Sequence, residues 1–323
     1  MKANSMVQAV IGDLTGTKSK RMTMDSIQSS RRQRPDRIFL MGIESVGKST
    51  FGADAPDPIF IPCEDGLAHL DVAAYPLAES LTDVLDAVDD LANRDHGYRT
   101  VVIDTLDALE PMIWADVCRE HNAASIEEVL GGYGKGYMMA LARWRLLLNG
   151  LDRLRDKGMT VILLAHTHVK NFSDPKSAHD WSRYEAKMNV KAAGVVREWC
   201  DVALFAAFDT WAEKRKGGGM KMHGAGGDRR VVYTQHNAAY DAKSRFPMPV
   251  CLPFSWASYA EARSAPDDVQ GLKDEAFSLA ALIPENEVAA KKWIKGLGDD
   301  PAKLRVAIDQ LKTKVTERAE AMQ

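Results

Sequence analysis

Apolar positions fall along this chain in two periods. Four short runs, "RIFLMG", "PIFIPCEDG", "YRTVVIDTLDAL" and "MTVILLAHTH", are nearly continuous, and each is bounded by Pro, Gly or charged residues. Runs of that length predict buried strands. The stretches between them have helical spacing. "SLTDVLDAVDDLAN" puts Leu81, Val84, Leu85, Val88 and Leu91 on one face, and "KGYMMALARWRLLLNGLDRLRDKG" predicts a long helix that stops at Gly158. "GKSTFGADA" opens a further helix directly after the first strand. Strands alternating with helices predict an α/β fold, a mostly parallel central sheet flanked by helices. Strands apolar at successive positions are what a sheet covered on both faces requires.

Past His168 the pattern breaks. "VKNFSDPKSAHDWSRYEAKMN" is polar and predicts irregular chain, while "VREWCDVALFAAFDTW" and "DRRVVYTQHN" predict two more strands. A Gly-rich basic connection joins them, and its tip, residues 214–230, reads as a solvated loop. "SAPDDVQ" marks a boundary, and the segments beyond it predict two or three short amphipathic helices. The expected organisation is a basic, partly flexible arm over residues 1–36, a core over 37–262 and a small helical C-terminal region over 263–323.

Composition and charge narrow the choice. The 323 residues are 46% hydrophobic and 27% charged, the balance of a soluble globular protein, and the net charge of −3 does not advertise nucleic acid. Basic character is local: residues 1–37 hold eight Lys or Arg against three Asp. That stretch reads either as a disordered tail or as an arm docking on a neighbouring subunit or a phosphate backbone. The four cysteines form no CxxC pair, which argues against a zinc site or disulfide framework and for a reducing, cytoplasmic setting. The first residues lack the apolar core of a secretory signal. No apolar run reaches the roughly 18 residues of a membrane span.

Residues 42–49, Gly-Ile-Glu-Ser-Val-Gly-Lys-Ser, fit GxxxxGK[ST] between a predicted strand and a predicted helix. The glycines let the loop curl so that backbone N–H groups point at phosphates, which makes Gly42, Glu44, Ser45, Val46, Gly47, Lys48, Ser49 and Thr50 the candidate nucleotide-binding set. Lys48 would reach the β- and γ-phosphates of ATP, and Ser49 would ligate Mg²⁺. Asp104, at the end of a buried strand, would hold the Mg²⁺ through water. Glu64 is the candidate for activating the attacking water, with Asp65 as competitor. His166, ending "VILLAH", could report the γ-phosphate to the loop that follows, and His168 is a weaker candidate.

The order of these motifs resembles the RecA-type recombinase core. "GIESVGKST" is similar to that family's GPESSGKTT loop, "IFIPCEDGLAHLD" to the strand bearing its catalytic glutamate, and "VVIDTLDALEP" to its Walker B strand. "VILLAH" takes the place of a strand ending in a sensor Gln, and departs there with His166. "NAAYDAKSRFPMP" resembles the element from which a Lys and an Arg reach the neighbouring subunit's nucleotide, which implies that role for Lys243 and Arg245. More narrowly, over residues 37–255 the chain resembles the phage-encoded, core-only RecA-like annealing proteins of the Sak type. The resemblance implies a RecA-like P-loop NTPase core and a homo-oligomer, ring or filament. The implied activity is ATP-dependent binding of single-stranded DNA with promotion of annealing or exchange.

Such a core binds DNA through two loops. The first would be "SIEEVLGGYGKGYMMAL", with Lys135 for phosphate and Tyr133 or Tyr137 for stacking. The second would offer Lys170, Lys176, Arg183, Lys187 and Lys191 with Phe172, Trp181 and Tyr184 interleaved. The C-terminal region could bind a partner such as a single-strand binding protein or cover a subunit edge. The competing readings are a DnaB-like helicase or motor, a small-molecule phosphotransferase, and a nucleotide-gated scaffold with little turnover.

Overall fold

Successive side chains of β1 (Arg37–Gly42) enter two different cores. Phe39 and Met41 join one cluster of buried residues, and Ile38 and Leu40 join another. The same division runs through β2 (Pro58–Pro62), β4 (Thr100–Asp104) and the first half of β5 (Thr160–Phe172): Ile61, Ile103 and Leu163 face one way, Phe60, Val102 and Ile162 the other. Side chains alternate across a strand, so a run of apolar residues feeds both faces of a doubly covered sheet. Each fully buried aliphatic or aromatic side chain contributes about 1.5–3 kcal/mol, which is why these short strands dominate the fold.

The computed structural model describes residues 34–173, 179–214, 222–264, 269–283 and 287–321. The chain divides into two compact units, Met1–Arg34 and Pro35–Gln323, and every described strand and helix belongs to the second. The basic arm expected over residues 1–36 lies outside the described residues up to residue 33. Its last member, Asp36, is buried and accepts from the Tyr259 hydroxyl at 2.8 Å and from Arg263.

The remaining strands are β3 (Ala73–Ala74), β6 (Trp181–Ala186), β7 (Val202–Lys214), β8 (Met222–Tyr233), β9 (Lys243–Ser244) and β10 (Cys251–Pro253). Sheet order is β10-β8-β7-β1-β5-β4-β2-β3. The path from β7 through β1, β5, β4 and β2 to β3 is parallel, and β8 and β10 extend it antiparallel. On one face lie α2 (Leu81–Asn93), α3 (Leu106–His121), α4 (Lys135–Asp156) and α5 (Val190–Trp199), with Trp144 of α4 fully buried. On the other lie α1 (Lys48–Ala53) and α6 (Trp256–Ser264), joined by Phe51 and Tyr259. The α/β fold expected from the apolar pattern is therefore present, with its mostly parallel sheet and helices on both faces.

The fold corrects three expectations. The polar stretch after His168 is not irregular: β5 continues to Phe172 and β6 returns antiparallel, with Phe172 opposite Trp181. The β5 half is exposed from His168 to Asn171, and the buried positions of β6 are Arg183 and Ala186, so no apolar run announces the strands. "VREWC" is the end of α5, not the start of a strand, and β7 begins only at Val202. A short apolar run fits either period, and here the helical one forms. The connection expected as a loop over 214–230 is strand from Met222 onward, because β8 pairs with β7 almost to its end; residues 215–221 lie outside the described residues.

α6 crosses the boundary expected at residues 262 and 263. Beyond it α7 (Val269–Ala281), α8 (Glu287–Gly296) and α9 (Pro301–Ala321) gather around their own cluster of Ala276, Ala280, Ile283, Ile294, Leu304, Ile308 and Leu311. Among the described residues no helix is long and apolar enough to cross a membrane.

Candidate nucleotide site

Register brings the expected residues to one edge of the sheet. Gly42 of β1 is level with His166 of β5 and Ala206 of β7, and Asp104 of β4 is level with Pro62 of β2, two residues before Glu64. All sit where the parallel pairing stops, although β5 and β7 themselves run on with antiparallel partners, and there an open α/β sheet leaves its crevice.

Between β1 and α1 the backbone curls through Ser45 at φ 59° and Gly47 at φ 103°, both left-handed. Glycine takes that conformation without penalty, while the serine is a less common occupant. Gly42 is also confined: a Cβ there would come 2.8 Å from the Ala206 carbonyl. α1 opens directly at Lys48 and aims its free N–H groups into the loop. Val46 is buried beneath the loop, while Glu44, Ser45 and Thr50 are exposed on it.

Lys48 is buried, and its Nζ donates to the Gly42 carbonyl at 3.3 Å and the Ile43 carbonyl at 3.0 Å. Burial lowers its pKa, against the raising pull of Asp104, Asp107, Glu64 and Glu44. Ser49 Oγ donates to Asp104 Oδ2 at 2.6 Å. Burial raises the Asp104 pKa, opposed by that hydrogen bond and by Lys48. Glu64 is half-buried and its pKa is raised, first by burial, with the nearby His166 and Lys48 pulling the other way. Asp65 is exposed. Asp107, on the first turn of α3, accepts from the backbone N–H of His166 at 2.9 Å and pairs with its Nδ1 at 3.0 Å. That hydrogen bond is the largest cause of the raised His166 pKa.

Lys48, Ser49, Glu64, Asp104, His166 and Arg230 line one recess of about 330 Å³, together with Ser45, Gly47, Thr50 and His69. It suits a phosphate chain: a curled backbone, a lysine, and carboxylates set behind them. The fit for Mg²⁺ is the convergence of the Ser49 hydroxyl and the Asp104 carboxylate. No group of three or more His, Cys, Asp or Glu that could hold a metal occurs among the described residues, so a cation here would complete its shell with phosphate oxygens and water.

Sequence reasoning missed Asp107, His69 and Arg230. Asp107 left a signal, an acid three residues after Asp104 on the first turn of the helix that follows the strand. Arg230 left none, because only the strand pairing brings it to the loop.

Other expected residues have different surroundings. Lys243 and Arg245 do not approach this recess. Lys243 pairs with Ala203 near the start of β7, at the opposite end of the sheet from Gly42. Its Nζ donates to the Arg197 carbonyl, while Arg245 donates to Asp201 at 3.2 Å and the Glu198 carbonyl at 3.0 Å. Both have acceptors within their own chain, and the Arg245 side chain stays half exposed. Of the DNA candidates, Tyr133, Lys135, Lys170 and Lys187 are exposed. Arg183 is buried, with Nη2 2.8 Å from Asp241 and its guanidinium 4.9 Å over the Phe172 ring. Trp181 donates to the Ala238 carbonyl, and the Tyr137 hydroxyl donates to Glu127. These side chains hold the hairpin and the α4 terminus in place instead of facing solvent freely. Lys176 lies outside the described residues.

Fold and site together define a P-loop nucleotide-binding protein. The chain belongs to the AAA domain family, which matches residues 34–246, and it is on that basis a P-loop ATPase. Among solved structures it is similar to the flagellar accessory protein FlaH from Methanocaldococcus jannaschii at 12% identity and a TM-score of 0.35, over 69% of this chain and 85% of that one. At that level no further property is transferred. No curated protein matches.

Proposed function

We propose that the chain couples ATP hydrolysis at this P-loop to binding of single-stranded DNA, and that copies assembled along a strand promote annealing or exchange. The observation that carries the DNA reading is the loop before α4. Residues 130–134 all have positive φ, at 53°, 80°, 86°, 55° and 73°. Tyr133, in the middle, is 99% exposed. An aromatic ring held wholly in water on left-handed backbone gains nothing for the fold. It suits stacking on a base, which is tolerant of sequence.

The surroundings agree with that use. Leu130, Met138, Val169 and Val190 are exposed apolar residues, and Lys135, Lys170, Lys187 and Lys191 are exposed cations near them in the chain. Lys191 Nζ lies 3.3 Å from Met138 Sδ, which joins the start of α4 to the start of α5. The β5–β6 hairpin is tied to the recess, because the Lys187 N–H donates to the His166 carbonyl at 2.8 Å. Strand binding on the hairpin would thus be felt at His166.

For hydrolysis, water attacks the γ-phosphorus, its proton passes to Glu64, and the bond from the γ-phosphorus to the β,γ-bridging oxygen breaks. A carboxylate with a raised pKa is a better base near neutrality. Mg²⁺ held by Ser49 and Asp104 would neutralise charge on the phosphates. Steady-state ATP hydrolysis with and without single-stranded DNA, with Lys48→Ala as the blank, tests the reading. Stimulation by DNA that is absent in the blank is the expected result. Turnover indifferent to DNA would remove the coupling and leave only the ATPase.

A further inference from the structure

Arg230 sits in β8 opposite Phe208 of β7, yet its guanidinium lies over the phosphate loop. Nη1 donates to the Val46 carbonyl at 3.3 Å, and a Cβ placed on Gly47 would come 2.6 Å from it. The strand is pinned at that point. The Phe254 N–H donates to the Arg230 carbonyl at 3.1 Å, and the Phe254 ring stacks on Phe51 of α1 at 5.5 Å. The backbone at Arg230 is therefore fixed relative to the helix whose first residue is Lys48, while its side chain is exposed.

A guanidinium presents five N–H donors in a planar fork that matches two oxygens of a phosphate. Among the described residues a single neutral carbonyl accepts from it and no carboxylate pairs with it. Three arginines more deeply set in the fold do have acids: Arg37 and Arg155 pair with Asp201, and Arg263 with Asp36. A cation with no carboxylate partner among the described residues, at the mouth of a phosphate-binding loop, is matched to the ligand's charge. Lys243 and Arg245, meanwhile, have acceptors of their own at the far end of the sheet.

We infer that Arg230 clamps the phosphate chain of the nucleotide bound in its own subunit, exchanging the Val46 carbonyl for phosphate oxygens. This rests on the nucleotide reading of the recess. It places the arginine of the reaction in cis, so that a neighbour need not supply one.

The test combines binding, turnover and mixing. A fluorescent ATP analogue is first titrated into the wild-type chain; no binding there would sink the nucleotide reading and this inference together. With binding in hand, Arg230→Ala is expected to lower kcat/KM about a hundredfold, the scale of losing one preorganised charge-stabilising donor. Arg230→Lys, which keeps the charge without the fork, should fall between. It also serves if the alanine variant does not fold. Arg230→Ala is then mixed with Lys48→Ala. A cis clamp predicts no recovery, since each chain is defective at its own site. Recovered turnover in the mixture, or an Arg230→Ala variant within about threefold of wild type, would overturn the assignment while leaving the ATPase reading intact.

Discussion

Asp107 holds His166 twice, taking the backbone N–H at 2.9 Å through one carboxylate oxygen and the ring Nδ1 at 3.0 Å through the other. The first bond ties β5, at the point where its pairing with β1 stops, to the first turn of α3. The second fixes the ring and favours its charged form, so the histidine facing the phosphate recess is set by an acid the phosphates would not touch.

The pair predicts a titration. The His166 pKa is raised, chiefly by the Asp107 hydrogen bond and against the effect of burial. The Asp107 pKa is lowered: burial acts to raise it, but the His166 bonds outweigh that. A raised histidine contributes stability present below its ordinary pKa and lost as pH rises through the folded value; the lowered aspartate contributes stability lost as pH falls through its own. The interaction is thus strongest between the two. Asp107→Asn should bring the His166 ring, followed by NMR, back toward its ordinary titration range. It should cost about 1–3 kcal/mol in urea unfolding at pH 6. A His166 titration unmoved by the substitution would show that Asp107 does not set it.

One turn further along α3, Glu110 gives a prediction of the opposite slope to an acid limb. Its carboxyl is buried; Oε2 accepts from the Asn189 N–H at 2.8 Å, and Oε1 has no partner among the described residues. Burial, opposed by the Asn189 bond and aided by Asp107, pushes its pKa from 4.5 up to about 7. The folded state then binds the proton more tightly than the unfolded one. Stability from this group is full below about pH 4.5 and is lost as pH rises to about 7, at about 1.4 kcal/mol per unit. Glu110→Gln removes the loss. The variant should match wild type at pH 4 and exceed it by roughly 2–4 kcal/mol at pH 8. Equal stability at both pH values would mean that the carboxyl is solvated in solution.

Asp201 behaves the other way. It takes ion pairs from Arg37 at 3.0 Å, Arg155 at 2.8 Å and Arg245 at 3.2 Å, where β1 and β7 begin. Burial works to raise its pKa but is outweighed by the bond and charge of Arg37 and the charge of Arg155, so it lies below the ordinary value. Its contribution is present above the ordinary aspartate pKa and is lost as pH falls through the lowered one. Asp201→Asn should cost about 3–5 kcal/mol at pH 7, because the arginines lose a buried partner, and should flatten the acid limb of the stability profile. A variant as stable as wild type at neutral pH would refute the hub. Nucleotide affinity should survive, since the cluster lies at the end of the sheet away from Gly42.

Legibility in the sequence depends on what positions each feature. The buried strands announce themselves because both faces are covered, and Lys48, Ser49 and Asp104 because a phosphate loop needs fixed local spacing. The β5–β6 hairpin is hidden, because its strands pair polar side chains, Lys170 with Glu185 among them, and leave no apolar period. Arg183 offered the same sequence signal as an exposed DNA-binding cation, yet Asp241 and Phe172 bury it. Arg230 and Val46 are 184 residues apart, and only the sheet order brings them together. Local chemistry can be read along the chain; contacts made by the return of a distant strand cannot.

Tyr133 separates fold from function most sharply. Its φ of 55° is a conformation that costs a non-glycine residue on the order of 1–2 kcal/mol, and its ring is 99% exposed. Tyr133→Gly relieves the backbone at some cost in unfolded-state entropy, so stability should hold or rise by up to about 1 kcal/mol. If the ring stacks on a base, the same change should weaken single-stranded DNA binding by about 1–3 kcal/mol, a rise in Kd of about five- to 150-fold by fluorescence anisotropy. Lys135→Ala should instead flatten the salt dependence, by a slope of about one, if it meets a phosphate. A Tyr133→Gly chain that unfolds more easily would assign the ring to the fold. One that is equally stable and binds DNA undiminished would leave the left-handed loop without its proposed use and move the DNA reading onto the β5–β6 hairpin alone.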